Sequence, residues 1–120
     1  MGHIYVDISI KGRKKSATKN LLVDTGATFT VLEPKTLKNL GLDRLPGKYK
    51  LELGDGRSVR ADAYAGIAGI GDRTGPAIVI SFKDAKEVIG VQTLESLGLR
   101  VNPQKEKLEP TRPKGVAYFY

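Results

Sequence analysis

Apolar and polar residues alternate from His3 to Ile10, with Ile4, Val6, Ile8 and Ile10 on one side and Tyr5, Asp7 and Ser9 on the other. A period of two predicts a half-buried strand. The charged stretch Lys11-Gly12-Arg13-Lys14-Lys15 turns the chain, and Ser16 to Val23 returns as a second strand. Phe29 to Leu32 predicts a short strand. Glu33 to Gly41 predicts a short helix, with Pro34 in its first turn, Leu37 and Leu40 on one face and Gly41 at its end. Lys48 to Leu53 alternates again, and Gly54-Asp55-Gly56 supplies the Asp-Gly step of a hairpin. Arg57 to Ile70 is then a long return strand, Gly71 to Gly75 a turn, and the Ile- and Val-rich run Pro76 to Phe82 a buried strand. Val88-Ile89-Gly90 is a second apolar approach to a glycine. Gln92 to Gly98 reads as a short helix capped by its glycine, Leu99 to Val101 as a strand, and Lys107 to Glu109 as a segment pairing back on it.

About seven short strands separated by turns, with two short helices, predict a mainly β barrel or sandwich. The length of 120 residues fits one domain. Residues 1–110 form the expected domain and 111–120 a tail. The apolar end Val116-Ala117-Tyr118-Phe119-Tyr120 is read as an interface strand, a docked segment or a disordered one.

Composition narrows the chemistry. The chain has no cysteine and one histidine, His3. Disulfides, thiol catalysis, thiolate metal sites and histidine clusters are thereby excluded. The absence of a long apolar run argues against a membrane span. The first residues, Met1 to Asp7, lack the charged start and apolar stretch of a signal peptide, so a cytoplasmic protein is expected. A net charge of +7 admits a nucleic-acid partner. Yet the basic residues are dispersed, and the turn at residues 11–15 has no interleaved aromatic residues to stack on bases. It reads as a solvated hairpin tip.

What remains is carboxylates. Asp7, Asp43, Asp55, Asp62, Asp72 and Asp84 occupy alternating polar positions or turn tips and read as solvated surface. Asp24 differs: it follows the apolar Leu21-Leu22-Val23 and leads into Thr25-Gly26-Ala27-Thr28, after which Phe29 begins another apolar run. An ionised carboxylate delivered by a buried strand is costly unless it is hydrogen-bonded or used. Two carboxylates sharing one proton can activate water, one as general base and the other as general acid. This chain offers one such turn, so a dyad needs a second copy brought in by a two-fold axis.

Leu22-Val23-Asp24-Thr25-Gly26-Ala27-Thr28 resembles the active-site signature of the retropepsin-like aspartic proteases, in particular the small archaeal and bacterial single-domain members. Val88-Ile89-Gly90, roughly sixty residues downstream and followed directly by the helix from Gln92, is similar to that family's second landmark. The resemblance covers about residues 3 to 109 and implies a closed acid-protease β-barrel with one or two short helices, acting as a homodimer, with higher oligomers left open. It implies an aspartic endopeptidase acting on unfolded or extended polypeptide at acidic pH, without metal or cofactor. By position, Asp24 would activate water and Thr25 would link the two turns across the axis. Gly26 would permit the tight turn, Ala27 would leave room for substrate, and Thr28 would complete the turn. Leu53, Gly54, Asp55 and Gly56 would form the flap. Gly90 would let its strand pass close behind the catalytic turn. Retroviral members follow that glycine with arginine and then an acidic or amide residue. Here Val91 and Gln92 stand instead, so a structural ion pair is expected to be missing. The competing readings are a non-catalytic dimerisation or peptide-binding module of the same fold, and a basic nucleic-acid-binding β-barrel.

Overall fold

A computed structural model describes residues 3–114. The expected role of Val116 to Tyr120 lies outside the described residues.

The first two strands, β1 (Tyr5–Lys11) and β2 (Ser16–Val23), form an antiparallel hairpin with Tyr5 opposite Leu22 and Lys11 opposite Ser16. Alternation sorts their faces, as Ile8 and Ile10 are buried while Tyr5, Asp7 and Lys11 are exposed. Then follow β3 (Thr30–Leu32), α1 (Pro34–Leu37), β4 (Asp43–Arg44), β5 (Tyr49–Glu52), β6 (Ser58–Ile70) and β7 (Arg73–Ser81). The described chain is completed by β8 (Val88–Ile89), α2 (Val91–Ser96), β9 (Leu99–Asn102) and β10 (Lys107–Pro110). The fold is mainly β. The main sheet runs β1-β2-β8-β3-β7-β6-β4, with β5 added to β6 and a further pairing of β1 with β6; β9 and β10 form a separate two-stranded sheet. Among the described residues, no helix is long and apolar enough to cross a membrane.

One feature of this order positions the site. Strand β8 lies between β2, which runs into Asp24, and β3, which leaves the turn. It pairs parallel to β2 through Leu22–Val88 and Val23–Ile89, and antiparallel to β3 through Val31–Val88. The two apolar landmarks of the sequence are therefore sheet neighbours. The main core gathers Ile8, Ile10, Leu21, Leu32, Val79, Ile89, Leu94 and Leu97. Removing such side chains from water is the main favourable term in folding. A smaller cluster of Ala61, Ala63 and Ile80, with Phe29, Leu51 and Phe82 packed against it, supports the hairpin of β5 and β6.

Several boundaries differ from the sequence reading. The helix expected over Glu33 to Gly41 stops at Leu37, because Lys38 leaves the helical region (ψ 131°) and Asn39 follows it with a left-handed backbone (φ 71°). Leu37 and Leu40 are nevertheless both buried, as their shared face required. The turn expected over Gly71 to Gly75 shrinks to Gly71-Asp72, and β7 starts at Arg73, opposite Ile70. Pro76 lies inside β7 opposite Ile67. Strand β4 has no signature in the sequence: both its residues are exposed, so only backbone pairing with Tyr64 and Ala65 defines it. The β9–β10 pairing follows the expectation, with Leu108 opposite Val101.

Candidate active site

The Asp24 turn is built from the backbone outward. The Asp24 N–H donates to the Ile89 carbonyl (2.9 Å), and the Ala27 N–H donates to the Asp24 carbonyl (3.0 Å), closing a four-residue turn. The Gly26 N–H donates to Asp24 Oδ1 (2.9 Å), which fixes the carboxylate over its own turn. Asp24, Thr25, Gly26 and Thr28 are exposed, and Ala27 is half-buried. Among the described residues, nothing hydrogen-bonds the Thr25 hydroxyl.

The loop continues into the second landmark. The first amides of a helix have no partner within it, and α2 has no side-chain cap. Its Val91 and Gln92 N–H groups donate instead to the carbonyls of Ala27 (2.9 Å) and Thr28 (2.8 Å). Gly90 is required by this approach, since a Cβ there would lie 2.3 Å from the Phe29 carbonyl carbon and 2.4 Å from its oxygen. The Gly90 N–H donates to Thr30 Oγ1 (3.1 Å), and Thr30 Oγ1 shares a hydrogen bond with Thr93 Oγ1 (2.7 Å). Both threonines are fully buried. They satisfy each other and the glycine amide in an apolar setting, where an unpaired polar group would be costly.

Gln92 stands where an ion-pairing residue was expected to be lacking, and its amide takes a structural role. Its Oε1 accepts from the Ile78 N–H (2.9 Å) and its Nε2 donates to the Pro76 carbonyl (3.3 Å). The side chain thus serves the edge of β7 turned away from β6 beside the proline, where no strand pairs among the described residues.

Above the turn lies a groove of about 610 Å³. Asp24, Gly26, Ala27 and Thr28 line it, as do Leu53, Gly54 and Asp55 of the β5–β6 connection and Val88. Thr25, Gly56, Ile89 and Gly90 do not; the last two sit behind the turn. The Asp-Gly step makes the expected hairpin turn. The Gly56 N–H donates to the Leu53 carbonyl (3.0 Å), and Gly56 takes the left-handed conformation (φ 88°) that glycine allows. Asp55 accepts from the Arg57 N–H (3.0 Å) and from Arg57 Nε (2.7 Å), and these two bonds hold its carboxyl below the usual carboxylate range.

The sequence reading did not anticipate the rest of the lining. Phe29, Val31, Leu51, Ile80 and Phe82 give the groove apolar walls, while Glu52, Arg57, Asp84 and Lys86 add charge. Four carboxylates, Asp24, Glu52, Asp55 and Asp84, face two cations, Arg57 and Lys86. A groove with more acids than bases, in a chain of net +7, is a poor seat for a polyanion. Asp84 has a left-handed backbone (φ 60°). Asp84, read from sequence as plain surface, is therefore a groove residue; Asp55, read as a turn-tip acid and, through the resemblance, as part of the flap, lines the groove too. Asp62, also read as solvated, holds Lys48 (2.7 Å) and Arg44 (2.9 Å), which depress its pKa.

Beneath the groove, Glu87 precedes β8. It pairs with Lys19 and accepts from the Thr36 hydroxyl (2.6 Å) and the Glu33 N–H (3.0 Å). Burial pushes its pKa up, but the hydrogen bonds from Lys19, Thr36 and Glu33 outweigh burial and leave it below the usual value.

A model of the aspartyl protease family matches residues 6–91, from β1 to the first residue of α2, including both landmarks and the hairpin between them. The chain belongs to that family, in the retropepsin-like form its motifs resemble. No curated protein matches the chain.

Proposed function

We propose that the chain is an aspartic endopeptidase that works as a homodimer, with Asp24 of each protomer forming the catalytic pair. The observation that carries this reading is the Asp24 turn itself. It presents one exposed carboxylate, fixed by the Gly26 N–H, at the floor of an open groove. In a two-fold assembly the same turn faces its copy. Two carboxylates held close cannot both ionise, so the pair shares one proton at the working pH. The ionised member takes a proton from water, and the water oxygen bonds to the scissile carbonyl carbon. The protonated member hydrogen-bonds the carbonyl oxygen as it gains charge. Collapse of the tetrahedral intermediate breaks the C–N bond, and the leaving nitrogen takes a proton from the pair.

Other features fit this reading. The Thr25 hydroxyl, exposed and without a partner among the described residues, is suited to bond across the axis. The hairpin from Tyr49 to Ser58 serves as the flap. The apolar walls and open ends suit an extended polypeptide whose side chains alternate between pockets. The pairing of β1 with both β2 and β6 is read as closing the strand path into the family's barrel. Residues 1–110 are read as the protease domain, because the matched region and β10 both end by Pro110.

The test is hydrolysis of a denatured protein substrate at pH 3 to 6 by the wild type and by Asp24→Asn. Cleavage by the wild type and its loss in the variant, with fold and dimer mass unchanged, are expected. Intact substrate with the wild type across that range would reject the reading.

A further inference from the structure

Three segments that carry the Asp24 turn converge on one side chain at the end of the strands remote from that turn. Glu87 immediately precedes β8. Its Oε1 accepts from Lys19 Nζ on β2, and its Oε2 accepts from the Glu33 N–H (3.0 Å) and the Thr36 hydroxyl (2.6 Å), just beyond β3. Lys19 Nζ also reaches Thr36 Oγ1 at 3.3 Å. The Glu87 side chain is only 15% exposed. The charged groups around it are Lys19 from β2, the Glu33–Lys35 pair at the start of α1, and Asp84 and Lys86 on its own loop.

At this end the ladder of the three strands is short. β8 pairs with β2 through two residues and with β3 through one. The three hydrogen bonds to Glu87 equal that number of paired residues, and they join all three segments at one point. At the other end of the same strands, the Asp24 N–H bonds Ile89, and Val91 bonds Ala27. A shift of β8 against β2 or β3 would reach the carboxylate of Asp24 directly.

We propose that Glu87 is a positioning residue for the Asp24 turn: its carboxylate ties the strand entering the turn, the strand leaving it and β8 into one register. The word positioning rests on the function proposed above; the tie does not. A site whose geometry must be held to fractions of an ångström needs such supporting contacts. The tie needs both carboxylate oxygens as acceptors. Glu87→Gln keeps the shape but turns an amide N–H₂ toward either Lys19 or the Glu33 and Thr36 donors, so one side must open.

The experiment is amide hydrogen exchange on the full chain at neutral pH, comparing wild type with Glu87→Gln and Lys19→Met. Exchange at Asp24, Ala27, Val91 and Gln92 is expected to quicken about tenfold in each variant, with no further gain in the double variant. Gly66 and Ala77 on β6 and β7, outside the pairing with β3, should keep wild-type rates. Peptidase kcat should fall while KM stays within about twofold. If Glu87→Gln does not fold, Thr36→Val removes one donor from the same oxygen and should quicken the same amides by about threefold. Unchanged rates at the turn, or equal acceleration across the sheet, would overturn the proposal. A wild type without peptidase activity would remove the function reading alone, since the exchange pattern is read without turnover.

Discussion

Gly90→Ala isolates the contact on which the site geometry depends. The backbone there is ordinary (φ −95°), so alanine is not penalised by conformation. The penalty is steric: the new methyl would lie 2.3, 2.4 and 2.8 Å from C, O and Cα of Phe29. All three are backbone atoms that cannot rotate away. Overpacking of a core costs about 1–3 kcal/mol when side chains can adjust. With no side chain to yield, about 3 kcal/mol or more is expected here, or roughly 10 °C in Tm for a chain of this size. Gly54→Ala is the matched control, since its added methyl meets nothing within 4 Å; it should stay within about 0.5 kcal/mol. Urea denaturation of both variants at equal protein concentration measures the difference, because any self-association makes stability depend on concentration. A Gly90→Ala protein within about 1 kcal/mol of wild type would show that Gly90 and the Phe29 backbone are not in contact, and the packing described for the turn would fall with it.

Other expectations follow from single groups. Thr30→Val keeps shape but leaves the Gly90 N–H without its acceptor and Thr93 without its partner. About 2–3 kcal/mol should be lost in denaturant melts; a loss below about 0.5 kcal/mol would mean those bonds are not formed. Gln92→Ala strips the Ile78 N–H of its acceptor and should cost about 1–2 kcal/mol, with faster exchange at the Ile78 amide as its local signature. Glu87 should make stability pH-dependent. Its folded pKa lies below the ordinary 4.5, so its contribution is full above that value and is lost as pH falls through the lowered folded value. The stability gap between wild type and Glu87→Gln, about 1–2 kcal/mol given the solvent at Lys19, should hold at neutral pH and close in strong acid. A gap that persists unchanged to pH 3 would contradict the assignment.

Much of the fold was legible because strands write their burial as a period of two. The hairpin of β1 and β2, the long β6, and the β5–β6 turn at Gly54-Asp55-Gly56 were all readable in this way. Asp24 stood out as an acid following an apolar run, and Gly90 as a glycine closing another. What was not legible depends on distant partners. Thr30 and Thr93 look like ordinary core residues in sequence; only folding brings their hydroxyls to 2.7 Å. Glu87 reads as a loop acid until residues 19, 33 and 36 arrive beside it. Asp84 and Lys86 read as surface because nothing local says that their loop faces the hairpin across a groove. Strand β4 has no apolar signature at all. The end of α1 depends on the turn at Lys38 and the left-handed Asn39 rather than on Gly41.

The central claim is that Asp24 works only against its own copy. It is tested most directly by mixing equal amounts of wild type and Asp24→Asn protein, allowing subunits to exchange, and measuring peptidase activity per total protein. Random pairing yields wild-type, mixed and variant dimers in the ratio 1:2:1, so if mixed dimers are inactive the rate should fall to about one quarter of wild type. A rate of about one half would mean that each chain acts alone, and the shared site would be wrong.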